Sequence, residues 1–354
     1  MIDFEEILEL HTKFRTAMQN VDIAKKIAPN RDLVEIVRVI FWYEGVRKRS
    51  KLNKAYALEK FFEPQSFKVR SNSDKTSYRC KWQNYEIGLH TPQCRLLKMV
   101  DLILHGSLRE LHHPLWDILK LKPNRSTLSE NYLQRLNPEV LAVLLKQAED
   151  VEGHFERARV TKTLISKLKK IANLDALAAL VWLMYEALSD KNQKRCESLT
   201  RSIYDVLLMR SIWWEERKLA APLLTLFTQR ILSQCAPPHL IFNMSTQEII
   251  DASAALNLMV HIDQGSSHIG LSWLQRVRIM LKLLNGRRTL PGLAAFDVMF
   301  AFAPIYIRDP DDITTPKVLL DDLQLQEKQR KKAWDSILPD KTRSLPKSEM
   351  EPPH

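Results

Sequence analysis

The chain has 354 residues, 45% of them hydrophobic and 27% charged, and a formal net charge of +11. That length can bury a sizeable core without disulfide staples, and only eight glycines argue against a sheet-rich fold with its many tight turns. The acidic start MIDFEEILEL lacks the basic-then-apolar pattern of a signal peptide, and the longest apolar runs (residues 174–188 and 293–307) are interrupted by Asp175, Glu186 and Asp297, which excludes a membrane-spanning reading.

In chain order, residues 3–28 read as an amphipathic helix, with Phe4, Ile7, Leu8, Phe14, Met18 and Val21 recurring at helical spacing. Pro29-Asn30 breaks it. Residues 32–43 form a second helix that Gly45 closes. Residues 55–62 form a short third helix before Pro64, and residues 66–70 are able to pair as a short strand. The next helix spans 74–87, with Ser73 as its N-cap and Gly88 as a left-handed terminator. Thr91-Pro92 starts another helix, which Leu96, Leu97, Val100 and Leu104 bury on one side and Gly106 ends. His113-Pro114 opens a short helix, and residues 121–127 mark a boundary between domains.

Beyond that boundary the pattern is helical: 138–150 after the Asn137 cap, then 154–171, 174–189, 192–212 and 215–234. Trp213-Trp214 lies at the last junction, as a kink that buries both rings or as an exposed interface. Ser245-Thr-Gln-Glu248 is a capping box, with Met244 and Ile249 as its staple, ahead of helices at 246–262, 268–285 and 293–303. Thr315-Pro316 begins a final helix to about residue 337, and residues 339–354 read as a disordered tail. The expectation is an all-α protein. A helix-turn-helix-like domain occupies residues 1–121, and a larger irregular helical domain, bundle or solenoid, occupies 122–338. No repeat recurs at a fixed period.

Charge is concentrated. Residues 45–100 hold 13 Lys and Arg against 4 acids, whereas residues 1–44 are net negative. A local basic patch is the electrostatic footprint of a phosphate-backbone binder. On a helix over 74–87, Tyr78, Trp82 and Tyr85 fall within about 60° of one another and form an inner stripe. The opposite side carries Thr76, Arg79, Gln83 and Asn84, residue types able to contact base edges. Lys68, Arg70, Lys75 and Lys81 flank it and are suited to phosphates.

With Trp82, Gly88 and Pro92 at these intervals and Leu96, Leu97 and Val100 following, residues 74–104 resemble the phage repressor and Cro-like helix-turn-helix domains. The resemblance implies a compact helical domain that places residues 74–87 in the major groove. The small-residue first turn of that family is not evident between Ala55 and Asp74.

Other chemistry finds little support. Cys80, Cys94, Cys196 and Cys235 form no CxxC pair, which fits a reducing, cytoplasmic setting. His90-x3-Cys94 is the tightest ligand spacing near His105, His112 and His113, and it spans Thr91-Pro92, so no metal or other cofactor is expected. The Ser266-Ser267-His268 turn after His261-x-Asp263 lacks a nucleophile elbow, and Asp309-Pro-Asp-Asp312 lacks a metal-loop pattern, so no enzyme is expected. The expected function is non-enzymatic binding of duplex DNA, with the C-terminal helices serving a protein partner or homodimer. The alternative is a helical adaptor in a multiprotein assembly, of a mobile element or phage-defence system, that binds an acidic partner or RNA.

Overall fold

The computed structural model describes residues 4–17, 26, 28–69, 76–77, 80–121, 128–147, 155–235, 240–242, 245–263, 270–285, 304–307, 325 and 328. It is mainly helical, with three two-stranded antiparallel pairs. In the N-terminal part the helices are α1 (Phe4–Ala17), α2 (Leu33–Ser50), α3 (Ala55–Phe62), α4 (Lys81–Glu86), α5 (Cys94–Ile103), α6 (Ser107–Leu111) and α7 (Pro114–Ile118). After residue 128 come α8 (Asn131–Gln134), α9 (Pro138–Leu144), α10 (Lys162–Ile171), α11 (Leu174–Ser189), α12 (Gln193–Trp214), α13 (Ala220–Arg230), α14 (Thr246–Asp263) and α15 (Trp273–Leu284). The strand pairs are β1 (Lys68–Val69) with β2 (Thr76–Ser77), β3 (Leu145–Gln147) with β4 (Phe155–Arg157), and β5 (Leu240–Phe242) with β6 (Pro304–Ile307).

α2 buries residues on more than one side between Leu33 and Val46, while Glu35 and Arg38 stay half-buried. Val34 and Val37 enter the larger core, while Val39, Trp42, Tyr43 and Val46 enter a smaller one with α3, α4 and α5. Asp32 caps α2, its Oδ1 accepting from Val34 N at 2.7 Å. The helix runs past the expected stop at Gly45 to Ser50, and Lys51 at φ 59° ends it. Gly45 serves a different need. A Cβ there would collide with the Glu110 carboxylate, which accepts from Arg49 Nη2 at 2.6 Å and Arg217 Nη1 at 2.9 Å.

The larger core centres on α11 and α12, with α14 against α12. It also takes Ile7 and Leu10 from α1 and Leu115 and Trp116 from α7, so it draws on both sides of residues 122–127, which themselves lie outside the described residues. Trp213 and Trp214 are both buried, and Trp213 Nε1 donates to Asn257 Oδ1 at 2.9 Å. The Ser245 box forms as read: Ser245 N donates to Glu248 Oε2 at 2.6 Å and Glu248 N donates to Ser245 Oγ at 3.2 Å. Asn137 caps α9, accepting from Glu139 N at 3.4 Å.

Continuous helices over 138–150 and 154–171 do not form. The chain turns extended at Leu145, which pairs with Arg157. Arg157 reaches both oxygens of Glu186 on α11, at 2.6 and 2.7 Å, and lies over the Trp182 ring at 4.4 Å. That bidentate contact and ring stacking anchor the second strand on α11. The expected helix over 293–303 and the tail 339–354 lie outside the described residues, as does the helix expected after Thr315 apart from residues 325 and 328.

Candidate nucleic-acid interface

The helix expected over 74–87 is shorter, which corrects its extent. Thr76 and Ser77 are extended and pair with Val69 and Lys68, and Cys80 sits at φ 54°. A left-handed residue cannot lie inside a right-handed helix, so α4 begins only at Lys81 and is six residues long. Arg70, Lys75, Tyr78 and Arg79, with the Ser73 cap, lie outside the described residues. Lys68 and Thr76 are placed only by backbone, on facing strands.

Within α4 the inner stripe holds. Trp82 is fully buried and Tyr85 nearly so, packed among Trp42, Tyr43 and Phe62. Phe62 stacks on Trp82 at 5.3 Å between centroids and an interplanar angle of 13°. Burial, then the charges of Glu63 and Glu59, pushes the Tyr85 hydroxyl up to about 12. Gln83 is exposed and Asn84 half-buried. Gly88 follows at φ 72°, and a Cβ on it would lie 2.7 Å from the Ile36 carbonyl oxygen. Pro92 is buried, but α5 starts only at Cys94. Thr91 is not its cap; the hydroxyl accepts from Arg31 Nη2 at 2.9 Å.

Lys81, expected to face phosphate, points instead to Glu63, its Nζ 2.8 Å from Oε1, while Trp82 Nε1 donates to Oε2 at 3.1 Å. Both oxygens of one largely buried carboxylate thus hold α4 in place. Sequence reasoning missed this role, because Glu59 and Glu63 register in a sequence only as acids opposing the basic run. The cations at the end of α2 are engaged too. Arg47 pairs with Glu44 at 2.5 Å, Lys48 with Glu216 and Arg49 with Glu110.

A different set stays solvated. Lys51, Lys54, Lys60, Arg95 and Lys98 are exposed, and none has a carboxylate partner among the described residues. Lys54 and Lys60 belong to the start and solvent side of α3. Arg95 and Lys98 lie on the solvent side of α5, opposite the buried Leu96, Leu97 and Val100. α3 and α5 pack against each other.

An open cleft of about 830 Å³ lies between α1 and the end of α2. Its wall includes Lys13, Lys48, Lys51 and Glu215. Glu215 is buried with Oε2 unbonded, and burial pushes its carboxyl up to about 8, against the opposing pull of Lys218. No group of three or more His, Cys, Asp or Glu is placed to hold a metal among the described residues. Among the same residues, no helix is long and apolar enough to cross a membrane. His113 caps α7, accepting from Leu115 N through Nδ1, with Nε2 3.5 Å from Asp175, so this His–Asp pair pins two helices together. Comparison with protein-family models, curated proteins and solved structures finds no match for the chain.

Proposed function

We propose that this is a non-enzymatic DNA-binding protein whose contact surface is the solvated basic face of α3 and α5, with the β1–β2 pair beside them. The observation that carries the reading is the division of the basic segment into two sets. Arg47, Lys48, Arg49 and Lys81 are neutralised by carboxylates, whereas Lys51, Lys54, Lys60, Arg95 and Lys98 are exposed without one among the described residues. Cations left in water raise the local potential and attract a polyanion. A helix of six residues anchored by Lys81 and Trp82 offers little to a groove, so backbone contact dominates this reading and base readout is left to Gln83 and Asn84.

The test is a binding titration on labelled DNA across salt concentrations. Affinity falls steeply with salt, and Lys60→Glu and Lys98→Glu each weaken binding to every sequence alike and flatten the salt slope by about one unit per cation. Lys81→Ala, at a cation already engaged, changes affinity far less. Binding that is flat with salt, or absent on any DNA, overturns the reading. The second reading, a helical adaptor for an acidic protein, draws on Leu102 and Ile103, which are 76% and 52% exposed beside Lys98 at the end of α5.

A further inference from the structure

The last two residues of α5, Leu102 and Ile103, are 76% and 52% exposed, and Leu102 is the most open large apolar side chain among the described residues. On a helix, Arg95, Lys98 and Leu102 fall within about 60° of one another. The half-buried Met99 adjoins them, so one outer face runs from cations at its start to apolar side chains at its end. The one acid of this helix is engaged elsewhere. Asp101 Oδ1 accepts from Leu108 N at 2.8 Å and from Ser107 Oγ at 3.2 Å, which holds the turn into α6. Among the described residues that turn is open as well, since a Cβ placed on Gly106 would meet nothing within 4 Å.

Water against Leu102 and Ile103 costs free energy that phosphate oxygens cannot recover. Apolar side chains at i, i+3 and i+4 recover it against another helix whose own apolar ridge packs on them. Arg95 and Lys98, in turn, favour a helix that carries acids where it passes them. We propose that the outer face of α5 docks an acidic amphipathic helix of a partner protein, its apolar side chains on Met99, Leu102 and Ile103 and its carboxylates on Arg95 and Lys98. This rests on the acidic-partner reading above and names the element that recognises the partner. It shares Arg95 and Lys98, but not the apolar stripe, with the nucleic-acid reading.

The experiment measures fluorescence anisotropy of three labelled probes with the full chain: a synthetic peptide with leucines at i, i+3, i+4 and i+7 among glutamates, a peptide of the same composition with the leucines scrambled, and duplex DNA. The patterned peptide is expected to bind about tenfold or more tightly than the scrambled one, a factor of the order that burying one leucine supplies. Leu102→Ser and Ile103→Ser, both at exposed positions, each weaken the patterned peptide about tenfold and leave DNA binding unchanged, while Lys98→Glu weakens both ligands. Peptides that bind equally whatever their pattern, or serine variants that bind the patterned peptide like wild type, overturn the docked helix while leaving an acidic partner standing. Failure of both peptides at low salt sinks the acidic-partner reading itself. Serine variants that lose DNA and peptide alike give the stripe to the nucleic-acid surface, and a concentration-dependent dimer that Leu102→Ser abolishes gives it to a second copy; either result overturns the proposal.

Discussion

Glu215 holds its proton because burial outweighs the one nearby cation that favours the charge. Among the described residues it is buried, Oε2 has no hydrogen-bond partner, Lys218 favours ionisation and Glu44 opposes it. The native carboxyl titrates at about 8, while the unfolded chain releases the same proton near pH 4.3 or so. Between those values the native state binds more protons, so stability is largest at the acid end of the window and falls as pH rises through it. Glu215→Gln removes the titration and keeps the shape. It should raise stability at pH 8 by ~1–3 kcal/mol and flatten the slope between about pH 5 and 8, as read from urea midpoints. Equal slopes for variant and wild type would exclude this account. Gly88 is the second residue whose identity is dictated locally: φ is 72° and the Ile36 carbonyl oxygen occupies the space of a Cβ. Gly88→Ala is expected to cost ~1–3 kcal/mol in the same measurement, from strain and collision together, and a neutral result would show that the α4–α5 turn relaxes.

α4 shows what a short helix needs when six residues cannot sustain one by propensity. It is fixed by burying Trp82 and Tyr85 and by the Glu63 carboxylate, which takes both the Trp82 indole N–H and Lys81. Removing the acceptor strands a buried donor, whereas removing Lys81 gives up one partly exposed ion pair. Glu63→Ala should therefore destabilise by ~2 kcal/mol and alter tryptophan fluorescence, while Lys81→Met costs less than ~1 kcal/mol. Equal costs for the two would reverse the roles assigned to them. This element also marks where the sequence is legible. Trp82, Tyr85 and Gly88 read correctly because an aromatic pair three apart and a glycine after it carry local meaning. The helix start does not, since Tyr78, four residues before Trp82, completes in the sequence a period that the strand at Thr76–Ser77 and the left-handed Cys80 do not continue. The β3–β4 pair was hidden for a related reason: residues 145–157 have helix-compatible composition, and a contact from Arg157 to Glu186, far along the chain, selects the extended form. Among the cations, charge density was visible and engagement was not, because Glu63, Glu110 and Glu216 approach from other elements.

At the scale of the whole molecule, α2 decides how the parts communicate. Val34 and Val37 lie in the larger core and Val39, Trp42, Tyr43 and Val46 in the smaller, so neither core can open without exposing one side of the same helix. Ion pairs reinforce the join: Glu110 sits between Arg49 and Arg217, and Arg230 Nη2 lies 3.2 Å from both oxygens of the Asp32 cap. His11 Nε2, on α1, lies 2.6 Å from Asp251 Oδ1 on α14. Helices from the first hundred residues thus finish a core built mostly by later ones, and the exposed lysines and arginine of α3 and α5 are mounted on that core through α2. Cooperative unfolding follows, because the free energy of the smaller core is not separable from the larger. Leu115→Ala, a truncation at a fully buried α7 position in the larger core, should cost ~2–4 kcal/mol. It should lower the midpoint of helix loss by circular dichroism and of the near-ultraviolet signal of the Trp42–Trp82 cluster by the same amount, although the substitution is made outside that cluster. If the aromatic signal kept its wild-type midpoint while helix content melted early, the smaller core would be folding on its own, and α2 would be a connector instead of a shared wall.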